Sequence, residues 1–216
     1  RTVNLILNHK VSPERILSIT FSKASAKDMK ERFNKMFLDL SPIQVQFSTI
    51  HSFCFSLIRE YAYINKIKYT LIEEEKNQLN KYNVIKKIYF AANEDYITEE
   101  KLESLLNSVG YIKNMMLTVD EFLKNNKSDI ENFKTIYNTY EKYKRDNNLI
   151  DFDDMLTTAL EILESNKYIL EKYRAKYDFI QIDEGQDTSK VQMEIIKLLA
   201  SPKNNLFIVA DDDQYI

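Results

Sequence analysis

The chain has 216 residues, a net charge of −3, 44% hydrophobic and 29% charged residues. That balance describes a folded chain with a core, and it excludes a global basic footprint for nucleic acid. Nucleic-acid contact would have to use local basic patches, stacking and backbone amides. Two glycines and three prolines are too few for the many turns of a sandwich or barrel, so long helices with short connections are expected. The single cysteine, Cys54, excludes an internal disulfide and suits a reducing, cytoplasmic compartment. One Cys and two His form no zinc, haem or iron–sulfur spacing. No apolar run approaches membrane-spanning length and no signal peptide is visible, so no membrane partner is expected.

Residues 1–10 read as the last turns of a helix, with Val3, Leu5, Ile6 and Leu7 on its apolar side and Ser12-Pro13 as its break. Ile16 to Phe21 is a short apolar strand. A helix from about Ala24 to Leu38 follows, with Ala26, Met29, Phe33, Met36 and Phe37 at helical spacing. Ser41-Pro42 punctuates, and Val45 to Ser48 reads as a second strand. Thr49 is an N-cap for a helix through His51, Phe53, Leu57, Ile58 and Tyr61.

From about residue 65 to 148 the chain is rich in Lys, Asn, Glu and Tyr. Its patterns are helical: Leu79, Tyr82, Ile85, Ile88 and Tyr89, then Phe133, Ile136, Tyr137 and Tyr140. Only Tyr69 to Ile72 offers a strand. The segment reads as an all-helical insertion the size of a small domain, without repeats. Its Lys-rich stretches, such as Asn65-Lys66-Ile67-Lys68 and Lys142 to Arg145, read as solvated helix faces or as contacts to duplex DNA. Asp151-Phe152-Asp153-Asp154 then opens another helix, with Asp151 as N-cap and acids complementing the helix dipole.

A short helix around Tyr168 to Tyr173 leads to Asp178-Phe179-Ile180-Gln181-Ile182-Asp183-Glu184-Gly185-Gln186-Asp187. Here a buried strand breaks into two acids, a glycine, a glutamine and a third acid. Thr188 or Ser189 caps the next helix, and Leu206 to Val209 is a last strand ending in Asp211-Asp212-Asp213-Gln214. Strands alternating with helices predict an α/β fold with a parallel, doubly wound sheet. The sheet domain is discontinuous, residues 1–64 and 149–216, around the 65–148 insertion. Polar clusters fall at the C-terminal ends of the strands, where open α/β sheets bind ligands. One carboxylate at such an end can hold a hydrated divalent cation while its neighbour orients or deprotonates a water.

Five blocks in order resemble the UvrD/Rep/PcrA-type superfamily I DNA helicases. Ile19-Thr20-Phe21-Ser22 with Ala26 and Met29 resembles one family motif, with Ser25 in place of an alanine. Thr49-Ile50-His51-Ser52-Phe53-Cys54 resembles the threonine-phenylalanine-histidine-serine block, with Ile50 for the phenylalanine. Asp151-Phe152-Asp153-Asp154 matches a block that follows the helical insertion. Asp183-Glu184-Gly185-Gln186-Asp187 resembles the Walker B box, with Gly185 where a larger residue is usual. Val209-Ala210-Asp211-Asp212-Asp213-Gln214 resembles the next motif, with Ala210 for its glycine and Tyr215 for its serine.

The resemblance implies a RecA-like sheet of the P-loop NTPase type. It implies a phosphate-cradling loop just before Arg1 and a second motor lobe after Ile216. It implies ATP as substrate, with Mg2+ held by Asp183 and the attacking water positioned by Glu184. Gln214 then senses the γ-phosphate, Gln186 joins Asp183, Glu184 and Gln214 in binding the nucleotide, and Gln186 and Asp187 link the lobes, with helix capping an open alternative for Asp187. Phe21 and Phe152 would stack on bases of single-stranded DNA, unless both are core phenylalanines. Thr49, His51 and Ser52 would contact the DNA backbone, with Thr20 and Ser22 as weaker phosphate contacts. Cys54 reads as core. The implied whole is an ATP-dependent translocase with three-prime to five-prime polarity, acting on single-stranded DNA or DNA junctions in repair or recombination. A helicase–nuclease subunit of the AddA/RecB kind, and a DNA-binding scaffold with a decayed motor, remain open. Ala210 and Tyr215 allow the scaffold; Asp183 and Glu184 speak against it.

Overall fold

The computed structural model describes residues 1–36, 44–73, 80–125 and 128–211. Helix α1 (Thr2–Leu7) is followed by β1 (Ile16–Thr20), α2 (Lys23–Met36), β2 (Gln46–Thr49) and α3 (Ile50–Asn65). Next come β3 (Thr70–Leu71), α4 (Lys81–Asn93), α5 (Glu99–Asn114), α6 (Val119–Asn125), α7 (Phe133–Asp146) and β4 (Leu149–Ile150). The chain continues as α8 (Phe152–Ser165), α9 (Lys167–Lys176), β5 (Phe179–Ile182), α10 (Lys190–Ala200) and β6 (Leu206–Ile208). By its internal contacts it divides into two units, residues 1–57 with 159–216, and residues 58–158. The division falls inside α3 and α8, whereas the composition shift sits at 65 and 148. A helix that runs on across a boundary leaves no Gly, Pro or polar break to mark it.

In the first unit the sheet has the order β2-β1-β5-β6 and is parallel throughout. β1 is buried along its whole length, as a central parallel strand covered on both faces must be. Its Ile16 and Leu17 side chains are fully buried, each contributing about 1.5–3 kcal/mol. The register pairs Thr20 with Thr49, Ile19 with Ile182, and Ile182 with Ile208. All strand C-termini therefore lie along one edge. Helix α2 lies against β1 and β2, with the Phe33 and Phe47 rings 5.5 Å apart. Phe53 of α3 meets the Tyr173 and Tyr177 rings at 5.5 and 6.2 Å. Cys54 beside it is fully buried, and burial pushes its thiol pKa up, consistent with plain core packing. At the opposite edge Asp178 accepts from Arg15 and Lys203, and the Arg15 hydrogen bond holds the Asp178 carboxyl down at about 2.

The second unit is built on α4 to α7 around Ile85, Leu102, Leu105, Ile112, Phe133 and Ile136. Asn80 caps α4 by accepting from the Tyr82 amide at 2.8 Å, and Thr98 caps α5 by accepting from the Lys101 amide at 3.3 Å. The strand offered at 69–72 forms as β3, pairing Thr70 with Leu149 and Leu71 with Ile150 in parallel. Among the described residues no helix is long and apolar enough to cross a membrane.

Candidate functional site

The sheet edge of the first unit is set by how β5 ends. The Asp183 amide donates to the Ile19 carbonyl at 3.0 Å, carrying the ladder one residue past the strand. Glu184 then takes a left-handed backbone (φ 57°, ψ 49°), and Gly185–Asp187 coils into a single tight turn. Glu184 is one of eight non-glycine residues with positive φ among the described residues. Asp183 is half-buried and Glu184 exposed. Among the described residues neither carboxylate has a hydrogen-bond or ion-pair partner. Both line a small cavity of about 20 Å³ with Thr20, Phe21, Thr188 and Gln192.

This donor set suits magnesium. Magnesium takes one or two protein carboxylates and keeps several waters, so a single unpaired strand-end Asp is a fitting ligand. Among the described residues no group of three His, Cys, Asp or Glu side chains is placed to hold a metal ion, and a magnesium site of this kind does not require one. Gln186 Oε1 accepts from the Asp211 amide at 3.2 Å, tying the acidic turn to the exit of β6. Asp187 does not cap α10. The N-cap is Ser189, whose amide donates to Gln192 Oε1 at 3.3 Å. Gln214, with Asp212, Asp213 and Tyr215, lies outside the described residues.

On the neighbouring strand ends, Phe21 is 61% exposed, so it is not a core phenylalanine. Thr20 before it is buried, and its hydroxyl donates to the Ser22 carbonyl at 3.1 Å. Ser22 Oγ accepts from the Ser25 amide at 3.0 Å, starting α2. Thr49 is buried as the cap of α3: its Oγ1 accepts from the Ser52 amide at 3.2 Å and donates to Ser52 Oγ at 2.9 Å. Its hydroxyl is therefore committed to the helix start. His51 is half-buried and Ser52 exposed in that first turn.

Phe152 belongs to the second unit and is 50% exposed. Helical spacing turns Asp151 and Asp154 to one side of the α8 start and Phe152 and Asp153 to the other. Asp151 Oδ1 accepts from the Asp154 amide at 2.7 Å, and Asp154 Oδ2 accepts from the Asp151 amide at 2.8 Å, a reciprocal cap. Glu73 Oε1 accepts from the Phe152 amide at 3.2 Å. Behind this cap lie two buried lysines, Lys113 at 6% and Lys144 at 2% exposure. Lys144 Nζ is 2.8 Å from Asp151, 2.7 Å from Asp154 and 2.8 Å from Glu141. Lys113 Nζ pairs with Asp154 and is 2.9 Å from Glu141. Tyr140 OH donates to Asp151 Oδ2 at 3.1 Å.

Two buried ammonium groups thus face two buried carboxylates, Asp151 and Asp154, and the half-buried Glu141. Burial opposes the charge on Lys113, yet Asp154, Asp151 and Glu141 together hold its pKa above the ordinary lysine value. Burial also opposes the charge on Asp151, but Lys113 and Lys144 outweigh it and hold its carboxyl below the usual range. Asp154 goes the other way, raised by burial and by repulsion from Asp151. The basic stretch from Lys142 to Arg145 is therefore not one solvated or DNA-facing surface. Lys144 points into the unit, because three carboxylates there need a cation. Its sequence signal is its place on the apolar stripe Phe133, Ile136, Tyr140, Lys144.

The UvrD/REP helicase N-terminal domain model matches residues 1–216. The chain is 32% identical over 222 aligned residues to the ATP-dependent DNA helicase PcrA of Staphylococcus aureus strain Mu50, covering 100% of this chain and 29% of that protein. The PcrA of Staphylococcus epidermidis strain ATCC 12228 is 32% identical over 219 residues, with the same 100% and 29% coverage. The chain thus spans under a third of the length of these curated relatives.

Proposed function

Because the chain belongs to the UvrD/REP helicase family, we propose that it is the hydrolytic part of an ATP-driven motor that moves on single-stranded DNA. The observation that carries this reading is the sheet edge itself. Asp183 and Glu184, whose carboxylates have no partner among the described residues, share a cleft with an exposed aromatic, Phe21. Asp183 is the magnesium ligand, and the bound ion supplies charge neutralisation at the nucleotide phosphates. Glu184 orients the attacking water, and its carboxylate oxygen accepts the water's proton. Gln186 holds the turn against β6, and Gln214 in the continuing loop is the proposed γ-phosphate sensor. Phe21 stacks on a base, with Phe152 as a second platform on its own unit. His51 and Ser52 at the start of α3 take a backbone phosphate, while Thr49 holds that turn in shape through the Ser52 amide. The polarity proposed is three-prime to five-prime, the setting DNA repair or recombination, and the partner a second motor lobe of the same polypeptide.

The two glycines are Gly110 in α5 and Gly185, so no glycine-rich phosphate loop occurs within these residues. The isolated 216-residue chain should therefore show no magnesium-dependent ATP hydrolysis in a phosphate-release assay. Appreciable turnover by that chain would show that the nucleotide is held in some other way.

The DNA half of the proposal is tested in the full-length protein by fluorescence anisotropy on a labelled oligothymidylate. Phe21→Ala should weaken binding by about 1–3 kcal/mol, with little effect on ATP hydrolysis in the absence of DNA. Unchanged DNA affinity would remove Phe21 from the DNA path.

A further inference from the structure

The turn after β5 is fastened to β6 at two points. The Gly185 amide donates to the Val209 carbonyl at 2.7 Å, and Gln186 Oε1 accepts from the Asp211 amide at 3.2 Å. The first contact depends on Gly185 having no side chain. A Cβ there would sit 2.3 Å from Ile208 Cγ2 and 3.3 Å from the Val209 carbonyl oxygen. No real Cβ makes the first of these contacts. Ile208 is β-branched and stiff at χ1, so it does not swing aside freely. The glycine is not required by its backbone angles, since no glycine of the chain has positive φ. It is required by the close approach of a neighbouring strand.

We propose that Gly185 and Gln186 are positioning residues that clasp the Glu184 turn onto the exit of β6. This rests on the hydrolytic reading of Glu184. The left-handed Glu184 has one neighbour, Gly185, pinned to Val209, while the carbonyl of Glu184 accepts from the Asp187 amide at 3.0 Å. Its carboxylate has no partner of its own among the described residues, so the clasp is what aims it. The same clasp joins the acidic turn to Asp211, three residues before Gln214. A shift of the β6 exit would move Glu184 with it. The matching of Gly185 to Ile208 makes the pair a unit: enlarging one demands trimming the other.

The test uses the full-length protein and DNA-stimulated ATP hydrolysis, with kcat and KM measured separately. Gly185→Ala should lower kcat about 10–100-fold with KM for ATP nearly unchanged, because misplacing a reacting group by an ångström costs on that order. Adding Ile208→Ala removes the clashing methyl and should restore most of the lost kcat. Rescue of this kind distinguishes positioning from general damage. Should Gly185→Ala fail to fold, Gln186→Ala adds no atoms and should lower kcat about 5–10-fold with KM nearly unchanged. Full activity in Gly185→Ala, a double variant no better than the single, or full activity in Gln186→Ala where the single does not fold, overturns the clasp. Glu184→Gln is run beside them. An active Glu184→Gln refutes the hydrolytic reading; an inactive Glu184→Gln with a fully active Gly185→Ala refutes the clasp alone.

Discussion

Lys144→Met should lower the stability of the 58–158 unit by about 3–5 kcal/mol, read from urea unfolding of the 216-residue chain. The methionine keeps the length and the apolar stem. What it removes is an ammonium group within 2.8 Å of Asp151, Asp154 and Glu141. Lys113 then faces the buried Asp151 and Asp154 and the half-buried Glu141 alone, and an unpaired buried charge is far more costly than an absent pair. The variant should also change its pH dependence. Asp154 is already raised above its ordinary value, and losing a cation raises it further. A carboxyl raised in the folded state binds protons there before the unfolded chain does, so stability grows as pH falls. The Lys144→Met deficit should therefore shrink from pH 8 to pH 5. Lys142→Met is the control: Lys142 is exposed, pairs with Asp146 on the same helix face, and should cost at most about 0.5 kcal/mol. Equal stability of the two variants would contradict the buried cluster.

Glu184→Gln should lower DNA-stimulated ATP turnover of the full-length protein by about 100–10,000-fold, the range expected for losing a general base. The amide fills the same space, and Glu184 is exposed with no partner to lose among the described residues, so folding should be unaffected. Nucleotide affinity should stay near the parent value, because the proposed role begins only when water attacks. Phosphate release and equilibrium nucleotide binding separate the two effects. Turnover within a few-fold of the parent would place the base elsewhere.

The parallel sheet was legible because its strands are the apolar runs that central parallel strands require. Ile16 to Phe21 and Phe179 to Ile182 could hardly be anything else. Thr49 as a cap was legible from its place before an apolar helix, and the structure adds that its hydroxyl is committed to that cap. The five motif blocks pointed to the family that the comparisons show. Less was readable of side chains whose partners are far along the chain. A lysine in a Lys-rich stretch reads as solvated, and only its register with Tyr140 and Ile136 hinted that Lys144 turns inward. The carboxylates that draw it in come after α7. Likewise Gly185 reads as an ordinary turn residue, since nothing local records that Ile208 will lie against it. Phe21 and Phe152 could not be sorted into core or surface by pattern, because both begin or end an element. Their exposure is a tertiary fact.

The most direct test of the motor reading is phosphate release by the full-length protein at saturating magnesium-ATP, titrated with a single-stranded oligonucleotide. The basal rate should be low, rise steeply with DNA and saturate, with the rise absent in Glu184→Gln. A rate indifferent to DNA, or no hydrolysis at all, would contradict the motor reading and leave a DNA-binding scaffold with a silent motor.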